Sequence, residues 1–528
     1  MSQQAGTDGL RALWQRAHLH AERQEWAQAT ACFNAMLAQR PDDPAVLVQL
    51  SYVSSLAGHY RAARAAALRA AAVRSMPQQV LGQLLPRLRT FNEAEAFHRL
   101  LDGLGPLASI PVPRLLACAA QLSYFNQQER ALAMLDEARR ADPDYPATLL
   151  ARSQVLMYLA RFEEAETDLL RSLRRAPELA QTYWLLSRLR TQRADDNHVD
   201  AIRAQLARPG RPPVDIALLG FALHKELDDL GDHTGAALAL DQACRVKRST
   251  LQYQPDESRR LVDALVESGA RLPRPALATT GSGGHAQRTP LFIAGMHRSG
   301  TTLLEQLLDG HGEVKGVGEL YDFTAQMRYA TDHHCRGVID TTIVERAPGV
   351  DFAAVGRGYL EHIEWRLGRE RCFTDKLPSN FLNIGFICRA LPHARILHMV
   401  RDPVEVCFSN LRELFSDANP YSYDQLELAA YYRQYRRLMA HWRQVWPDRI
   451  LDVDYAELTR DPEAVMRRVT AFCGLGFEPA MLAIDARTRG VATASAVQVR
   501  QGIVARDTPK WAPYAQYLQP LTDALSGP

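Results

Sequence analysis

The chain has 528 residues, of which 47% are apolar and 23% are charged. This length exceeds what one hydrophobic core fills, and the composition excludes a disordered or fibrous protein, so two or more globular domains are expected. The formal net charge of +2 excludes a strong overall field toward nucleic acid or an anionic membrane. Any anion-binding site must therefore be local.

Targeting signals and disulfides are not predicted. Residues 1–26 contain no basic head followed by an apolar stretch and a small-residue cleavage site, so they do not resemble a secretory signal. No apolar run approaches the ~18 residues that span a bilayer. The eight cysteines are scattered and form no CxxC pair, which argues against a disulfide framework. Together these features predict a cytoplasmic protein with no membrane partner.

Small residues recur with a period of 34 in the first half of the chain, from Ala29 to Ala63 and again from Ala131 to Ala165. An apolar residue four positions later and a proline twelve positions later accompany most copies: Phe33, Leu135, Leu169, Pro41, Pro143 and Pro177. Because paired helices approach closely only at small side chains, and proline ends a helix, this pattern resembles the tetratricopeptide repeat. It predicts an α-solenoid over residues 1–270, with a generic helical bundle as the alternative. Such an array is expected to bind a peptide or protein, to self-associate, or to support its neighbour.

A linker and a second domain are predicted after the repeats. Residues 255–270 have helical periodicity, whereas residues 271–290 collect Pro, Gly, Ser and Thr without it and are interpreted as the linker. Residues 291–294, LFIA, predict a buried parallel strand. The loop GMHRSGTT at 295–302 then leads into a helical pattern. A strand, a glycine-bracketed loop and a helix N-terminus together predict an anion site, because free backbone N–H groups converge there.

This loop departs from the usual ATP-binding loop. The spacing of Gly295 and Gly300 matches the pattern GxxxxGK[ST], but Thr301 stands at the lysine position. A nucleotide kinase or NTPase, the first rival hypothesis, is therefore disfavoured. A second strand-like run, 394–400, is followed by Arg401 and, eight residues later, by Ser409 on the helix that begins at RDP. A guanidinium and a hydroxyl suit a terminal phosphate.

In this order, the segments resemble those of the sulfotransferases that use the nucleotide donor PAPS (3′-phosphoadenosine 5′-phosphosulfate). The resemblance covers residues 290–525, and with the repeats the whole chain resembles a bacterial tetratricopeptide-repeat sulfotransferase. It implies a two-domain protein with an N-terminal all-α solenoid and, over residues 291–528, an α/β P-loop-like domain with a parallel sheet. It also implies PAPS as the donor and no metal. The residues expected to bind the 5′-phosphosulfate are Arg298, Ser299, Gly300, Thr301 and Thr302, and those expected at the 3′-phosphate are Arg401 and Ser409.

The finer similarity is to tyrosylprotein sulfotransferases. It implies that Glu319, twenty-one residues after Arg298, is the catalytic carboxylate, and that Lys376 in TDKLPSNF acts with Arg298 on the leaving group. A carboxylate is chemically suited to accept the proton of a phenol whose pKa lies near 10. The remaining donor contacts implied are Tyr455 and, from TASAVQVRQG at 493–502, Thr493, Ser495 and Arg500.

Two positions depart from the family pattern. His297 stands where proline usually precedes the loop arginine, and it could titrate beside the donor or point away from it. Asp507, in DTPKW, replaces the serine of S-x-G-R-W, and a carboxylate there would repel an anionic donor.

Transfer of a sulfuryl group from PAPS to an acceptor hydroxyl is the predicted function, with a protein or peptide tyrosine as the favoured acceptor. The alternatives are a carbohydrate or a small metabolite as acceptor, or a repeat scaffold whose nucleotide-binding domain is inactive. Two further patterns are discounted. DHHC at 332–335 is the signature of membrane palmitoyltransferases, but the sequence shows neither their membrane helices nor their zinc domain. The basic, aromatic run at 429–446 fits a packed helix better than a nucleic-acid surface.

Overall fold

The structure is a computed structural model that describes residues 2–74, 76–271, 288–484, 490, 502–503 and 508–527. Most of the predicted linker lies outside these residues. So do Thr493, Ser495, Arg500 and Asp507.

The N-terminal region is helical, as predicted. Its fifteen helices within the described residues are α1 (Ser2–Glu22), α2 (Trp26–Gln39), α3 (Pro44–Leu56), α4 (Tyr60–Ala71), α5 (Gln78–Thr90), α6 (Ala94–Asp102), α7 (Val112–Tyr124), α8 (Gln128–Ala141), α9 (Pro146–Tyr158), α10 (Phe162–Arg175), α11 (Ala180–Leu189), α12 (Val199–Leu206), α13 (Pro213–Asp229), α14 (His233–Ser249) and α15 (Pro255–Arg271).

The phased alanines are contact positions between these helices. Ala29, Ala63, Ala131 and Ala165 lie in α2, α4, α8 and α10 and are fully buried. The hydroxyl of Ser51 in α3 donates to the Ala63 carbonyl at 2.7 Å, which requires the two helix backbones to approach closely. The period in the sequence therefore records where small side chains let neighbouring helices meet.

Within the described residues, five parallel strands form one sheet in the order β2-β3-β1-β4-β5. The strands are β1 (Thr289–Gly295), β2 (Val314–Gly316), β3 (Cys372–Asp375), β4 (Arg395–Val400) and β5 (Ile450–Asp454). The strands predicted at 291–294 and 394–400 are thus confirmed as β1 and β4. The helices of this half are α16 (Thr301–Leu308), α17 (Asp322–Thr331), α18 (Thr341–Arg346), α19 (Phe352–Ile363), α20 (Ile384–Ala390), α21 (Pro403–Leu411), α22 (Gln425–Val445), α23 (Tyr455–Arg460), α24 (Pro462–Cys473) and α25 (Gln519–Ser526).

The core beside the sheet explains these elements. Leu291 and Ile293 of β1 and Leu397 of β4 are fully buried against apolar residues of α16 and α24. A central strand of a parallel sheet is covered on both faces, so it appears in the sequence as a continuous apolar run. Residues 429–445 of the aromatic run lie in α22, and Tyr432, Tyr435 and Trp442 are buried, which confirms a packed helix.

The described residues divide into two compact units, and neither is continuous in sequence. One contains Met1–Ala138 and Tyr321–Trp365. Within it, the Arg61 guanidinium donates to the Tyr329 carbonyl at 2.8 Å, and the rings of Tyr124 and Tyr321 stack 5.7 Å apart.

The other unit contains Arg139–Leu320 and Arg366–Pro528, so α9–α15 share it with the whole sheet. Arg248 of α14 donates two hydrogen bonds to Glu427 of α22, at 2.7 and 2.8 Å. The predicted boundary at 271–290 remains a prediction about independent folding. No helix in the described part of the chain is both long and apolar enough to cross a membrane.

Candidate functional site

The predicted site residues follow the carboxyl ends of the five strands. Glu319 lies after β2, Lys376 after β3, the 298–302 loop after β1, Arg401 after β4 and Tyr455 after β5. Because all five strands are parallel, these ends lie along one edge of the sheet. Gly295, the last residue of β1, pairs with Met399 near the end of β4, which brings the loop and Arg401 together although they are about a hundred residues apart. In the sheet, β3 and β2 lie on one side of β1, and β4 and β5 lie on the other. The strand order therefore changes direction at β1, and open α/β sheets bind ligands at such a point.

The loop after β1 has the backbone of an anion-binding turn. Gly300 is the N-cap of α16 with φ of +105°, and a Cβ there would collide with the Tyr455 ring. Ser299 is 1% exposed, and its hydroxyl has no hydrogen-bond partner among the described residues. A buried hydroxyl without a partner costs about 1–3 kcal/mol, so this loop is suited to an oxyanion that could accept from it.

Arg298 joins the loop to α21. Its Nε donates to the Ser409 hydroxyl at 3.3 Å, and its Nη1 lies 3.6 Å from Glu413 Oε2. Burial lowers the pKa of Arg298, and the charges of Arg188 and Arg401 lower it further. The two residues predicted at opposite ends of the nucleotide, Arg298 and Ser409, are therefore in direct contact.

Arg401 is held on three sides. Its Nη1 donates to the Arg298 carbonyl at 2.9 Å, its Nε donates to Glu405 at 3.1 Å, and its guanidinium lies 4.4 Å from the centre of the Tyr455 ring. Asp402 caps α21 by accepting from the Glu405 backbone N–H at 2.9 Å. This cap begins the helix directly after Arg401, and two turns later the helix places Ser409 beside Arg298.

Lys376 and Glu319 form the second centre of the site. The Lys376 side chain is buried, and its ammonium donates to Glu319 Oε1 at 2.5 Å. The backbone N–H of Lys376 also donates to the Gly318 carbonyl at 3.0 Å, which ties the end of β3 to the loop after β2. The predicted catalytic carboxylate and the predicted lysine thus meet as an ion pair.

The His297 ring lies between two hydroxyl groups. Nδ1 lies 3.3 Å from the Tyr421 hydroxyl, and Nε2 lies 3.4 Å from the Ser379 hydroxyl. Burial, together with the charges of Lys376 and Arg298, lowers the pKa of His297 to about 4. The ring is therefore neutral at pH 7, and it binds two hydroxyl groups that the sequence interpretation did not include.

A cavity of about 570 Å³ contains Arg298, Arg401, Ser409 and Tyr455 in its wall. Helices α11 and α13 complete the wall with Trp184, Arg188, His224, Lys225, Asp228 and Asp229. The sequence analysis predicted nucleotide contacts only after residue 290, so it did not include these helical residues of the cavity wall. No local motif marks them, whereas Glu413, one helical turn after Ser409, could have been found from that spacing.

The C-terminal segment also reaches this cavity. Gly502, Lys510 and Trp511 are in its wall. Asp507 lies outside the described residues, so its repulsion of the donor stays a prediction. Of the three predicted catalytic residues, Arg298 borders the cavity, whereas Glu319 and Lys376 are not among the described residues of its wall.

The DHHC run does not form one site. His333 pairs with Asp340 at 2.7 Å, His334 stacks on Tyr60 with ring centres 6.0 Å apart, and Arg328 donates to the Cys335 sulfur. Among the described residues, no group of three or more His, Cys, Asp or Glu is placed to hold a metal ion.

Comparisons with known proteins find a family match in the second half of the chain. Residues 290–479 match the model of a family described as the sulfotransferase family. An uncharacterized protein of Aquifex aeolicus is 28% identical over 410 residues, which are 76% of this chain and 53% of that protein. A putative protein-tyrosine sulfotransferase of Caenorhabditis briggsae is 28% identical over 196 residues, 36% of this chain and 68% of that protein.

The sulfotransferase domain of the Synechococcus PCC 7002 olefin synthase has 21% identity and a TM-score of 0.28 over 47% of this chain and 100% of that domain. This chain spans about half the length of the Aquifex relative. Residues 290–479, which match the sulfotransferase family model, contain nearly all of the five-stranded sheet and the loop after its first strand, and they follow a helical N-terminal region.

Proposed function

We propose that this protein transfers a sulfuryl group from PAPS to an acceptor hydroxyl, and that a tyrosine of a protein or peptide is the acceptor. The observation that carries the proposal is the convergence of Arg298, Arg401 and Ser409 at one cavity, together with the ion pair of Lys376 and Glu319 at the same edge of the sheet. These groups match the two demands of the reaction, which are to bind a doubly phosphorylated donor and to deprotonate an acceptor.

The donor fits the residues present. Arg401 and Ser409 offer a guanidinium and a hydroxyl to a terminal phosphate, and the buried hydroxyl of Ser299 with the N-terminus of α16 suits the phosphosulfate. The Tyr455 ring borders the same cavity and offers a surface for the base. The donor brings the activated sulfuryl group, so the protein has to supply position and charge.

The chemistry assigned to the second centre follows from its charges. The reaction forms a bond between the acceptor oxygen and sulfur and breaks the bond between sulfur and the bridging oxygen. Negative charge grows on the phosphate that leaves, and in this proposal the Lys376 ammonium and the Arg298 guanidinium offset it. The acceptor loses a proton, and the Glu319 carboxylate can take it while one of its oxygens accepts from Lys376.

The choice of acceptor is supported by the curated relatives whose names include protein-tyrosine sulfotransferase. We further propose that the phased alanines belong to tetratricopeptide-type repeats, and that these repeats bind a peptide or protein.

The test is incubation of the protein with PAPS carrying radioactive sulfur and three acceptor pools, namely tyrosine peptides, oligosaccharides and small phenols. Labelled tyrosine peptide, lost in Arg401→Ala and Glu319→Gln, is the expected result. Label in the oligosaccharide or small-phenol pool alone would contradict the assigned acceptor. Binding of adenosine 3′,5′-bisphosphate without label in any pool would indicate an inactive nucleotide-binding domain.

A further inference from the structure

Helices α11 and α13 form ion pairs with the two residues that follow α21 beside the cavity. Arg188 of α11 pairs with Glu413 at 3.3 Å, and Asp228 of α13 pairs with Arg412. Arg412 and Glu413 directly follow α21, the helix that carries Ser409. The helical region therefore reaches the predicted donor site through charged side chains on two consecutive residues.

Arg188 and Arg298 bind the same carboxylate. Arg188 Nη1 lies 3.3 Å from Glu413 Oε1, and Arg298 Nη1 lies 3.6 Å from Glu413 Oε2. The side chains of Arg298 and Glu413 are 7% and 8% exposed, so water screens these charges poorly. One oxyanion already spans both guanidinium groups at this place, which shows that their spacing suits an oxyanion.

The cations of the cavity repel one another. Arg188, Arg298, Arg401 and Arg412 all border it, and the charges of the other three lower the pKa of Arg298. A phosphate group entering the cavity relieves this repulsion, since each guanidinium is a fixed charge that stays protonated. The stacking of Arg188 on Trp184, 5.0 Å from the ring, holds the guanidinium on the cavity side of α11.

We propose that Arg188 of the helical region is a donor-binding residue, which contacts a phosphate of the nucleotide together with Arg298 and Arg401. The donor site is then built from both parts of the chain, and the sulfotransferase family domain has its full donor affinity only with α11 in place. Glu413 competes with the phosphate for the same two arginines. This inference rests on the proposed function.

Calorimetric titration of the full chain with adenosine 3′,5′-bisphosphate tests it. A charge-assisted contact is worth about 1.5–3 kcal/mol, so Arg188→Ala is expected to raise Kd by about 10-fold or more. Arg188→Lys keeps the charge and is expected to fall between this variant and the wild type. Arg203→Ala, on the exposed side of α12, removes the same charge away from the cavity and is expected to leave Kd unchanged.

Glu413→Gln separates binding from a purely structural role. It removes the competing negative charge, so it is expected to tighten bisphosphate binding at least ~3-fold, the opposite sign from Arg188→Ala. A structural ion pair would weaken binding in both variants, and that result would overturn the proposal. If Arg188→Ala does not fold, as judged by thermal unfolding, Arg188→Lys and Glu413→Gln decide the question.

Two further outcomes separate this inference from the function on which it rests. A wild-type chain that binds the bisphosphate, with Arg401→Ala weakened but both Arg188 variants within twofold of wild type, would refute the role of Arg188 alone. A wild-type chain that does not bind the bisphosphate, or that binds it equally well with Arg401→Ala, would refute the donor assignment itself.

Discussion

At the scale of single residues, the site is a set of cations held by carboxylates. Arg298 lies beside Glu413, and Lys376 forms an ion pair with Glu319. Glu319 fixes the direction of the Lys376 side chain, which would otherwise have several rotamers, so this cation is oriented before a substrate arrives, whereas Glu413 occupies the place proposed for a phosphate. Orientation of this kind suits the proposed sulfuryl transfer, in which the protein supplies position and charge.

Glu319→Gln is expected to lower kcat ~10²-fold or more while the Kd of adenosine 3′,5′-bisphosphate stays within about threefold, because the amide keeps the shape of the side chain and cannot accept a proton. Single-turnover rates with labelled PAPS, together with bisphosphate titration, measure the two quantities separately.

The control for this variant is a series of phenol acceptors with falling pKa. A more acidic phenol needs less help in losing its proton, so the deficit of Glu319→Gln should shrink along the series. A deficit that stays constant would instead assign Glu319 to positioning the acceptor or Lys376.

At the scale of elements, the turn between β1 and α16 decides whether the loop can bind an anion. Gly300 adopts φ of +105°, a conformation that side-chain-bearing residues rarely take. Tyr455, the first residue of α23, lies directly over it, so the loop and the turn after β5 define each other's position. The sheet order makes this contact possible, since β1 and β5 both flank β4.

Gly300→Ala is expected to destabilise the protein by about 1–3 kcal/mol and to weaken bisphosphate binding ~10-fold or more, because the added methyl group meets both an unfavourable φ and the Tyr455 ring. Urea unfolding and calorimetric titration provide the two measurements. Gly476→Ala is the matched control, since a Cβ there meets no atom within 4 Å. Equal behaviour of the two variants would contradict the assigned role of this turn.

At the scale of the whole molecule, histidines buried in the neutral state link stability to pH. Burial lowers the pKa of His297 and His334 to about 4, and that of His224 to about 3, from an ordinary value near 6.5. The unfolded chain therefore binds more protons than the folded chain once the pH falls below about 6.5. Stability rises with pH wherever the unfolded state binds more protons, so stability is lost as the pH falls from about 6.5 toward 4.

The urea midpoint of unfolding is expected to fall steadily between pH 6.5 and pH 4.5. Each additional proton bound by the unfolded chain changes the unfolding free energy by about 1.4 kcal/mol per pH unit. His224→Gln removes one such group and is expected to flatten the decline, whereas His393→Gln, at a partly exposed histidine, serves as the control. The same slope in His224→Gln and in the wild type would show that this histidine does not contribute.

Much of the fold was predictable from the sequence, because local patterns have local causes. The continuous apolar runs at 291–294 and 394–400 predicted β1 and β4, since central parallel strands are buried on both faces. The loop RSGTT and the helix start after Arg401 were recognisable because short segments specify backbone turns and helix starts. The 34-residue period marked helix contacts because a small side chain is needed where two helix backbones approach closely.

The contacts among distant residues were decided by the tertiary structure. Nothing near Arg188 in the sequence indicates a ligand, and its place in the cavity wall depends on α11 packing in the same unit as the sheet, more than a hundred residues away along the chain. The ion pair of Lys376 and Glu319 likewise depends on β2 and β3 being neighbours in the sheet. The sequence by itself determined which elements form and which motifs they carry. Only the packing of those elements decided which charges share a cavity, because the attraction between charges depends on their distance in space and on the water excluded between them.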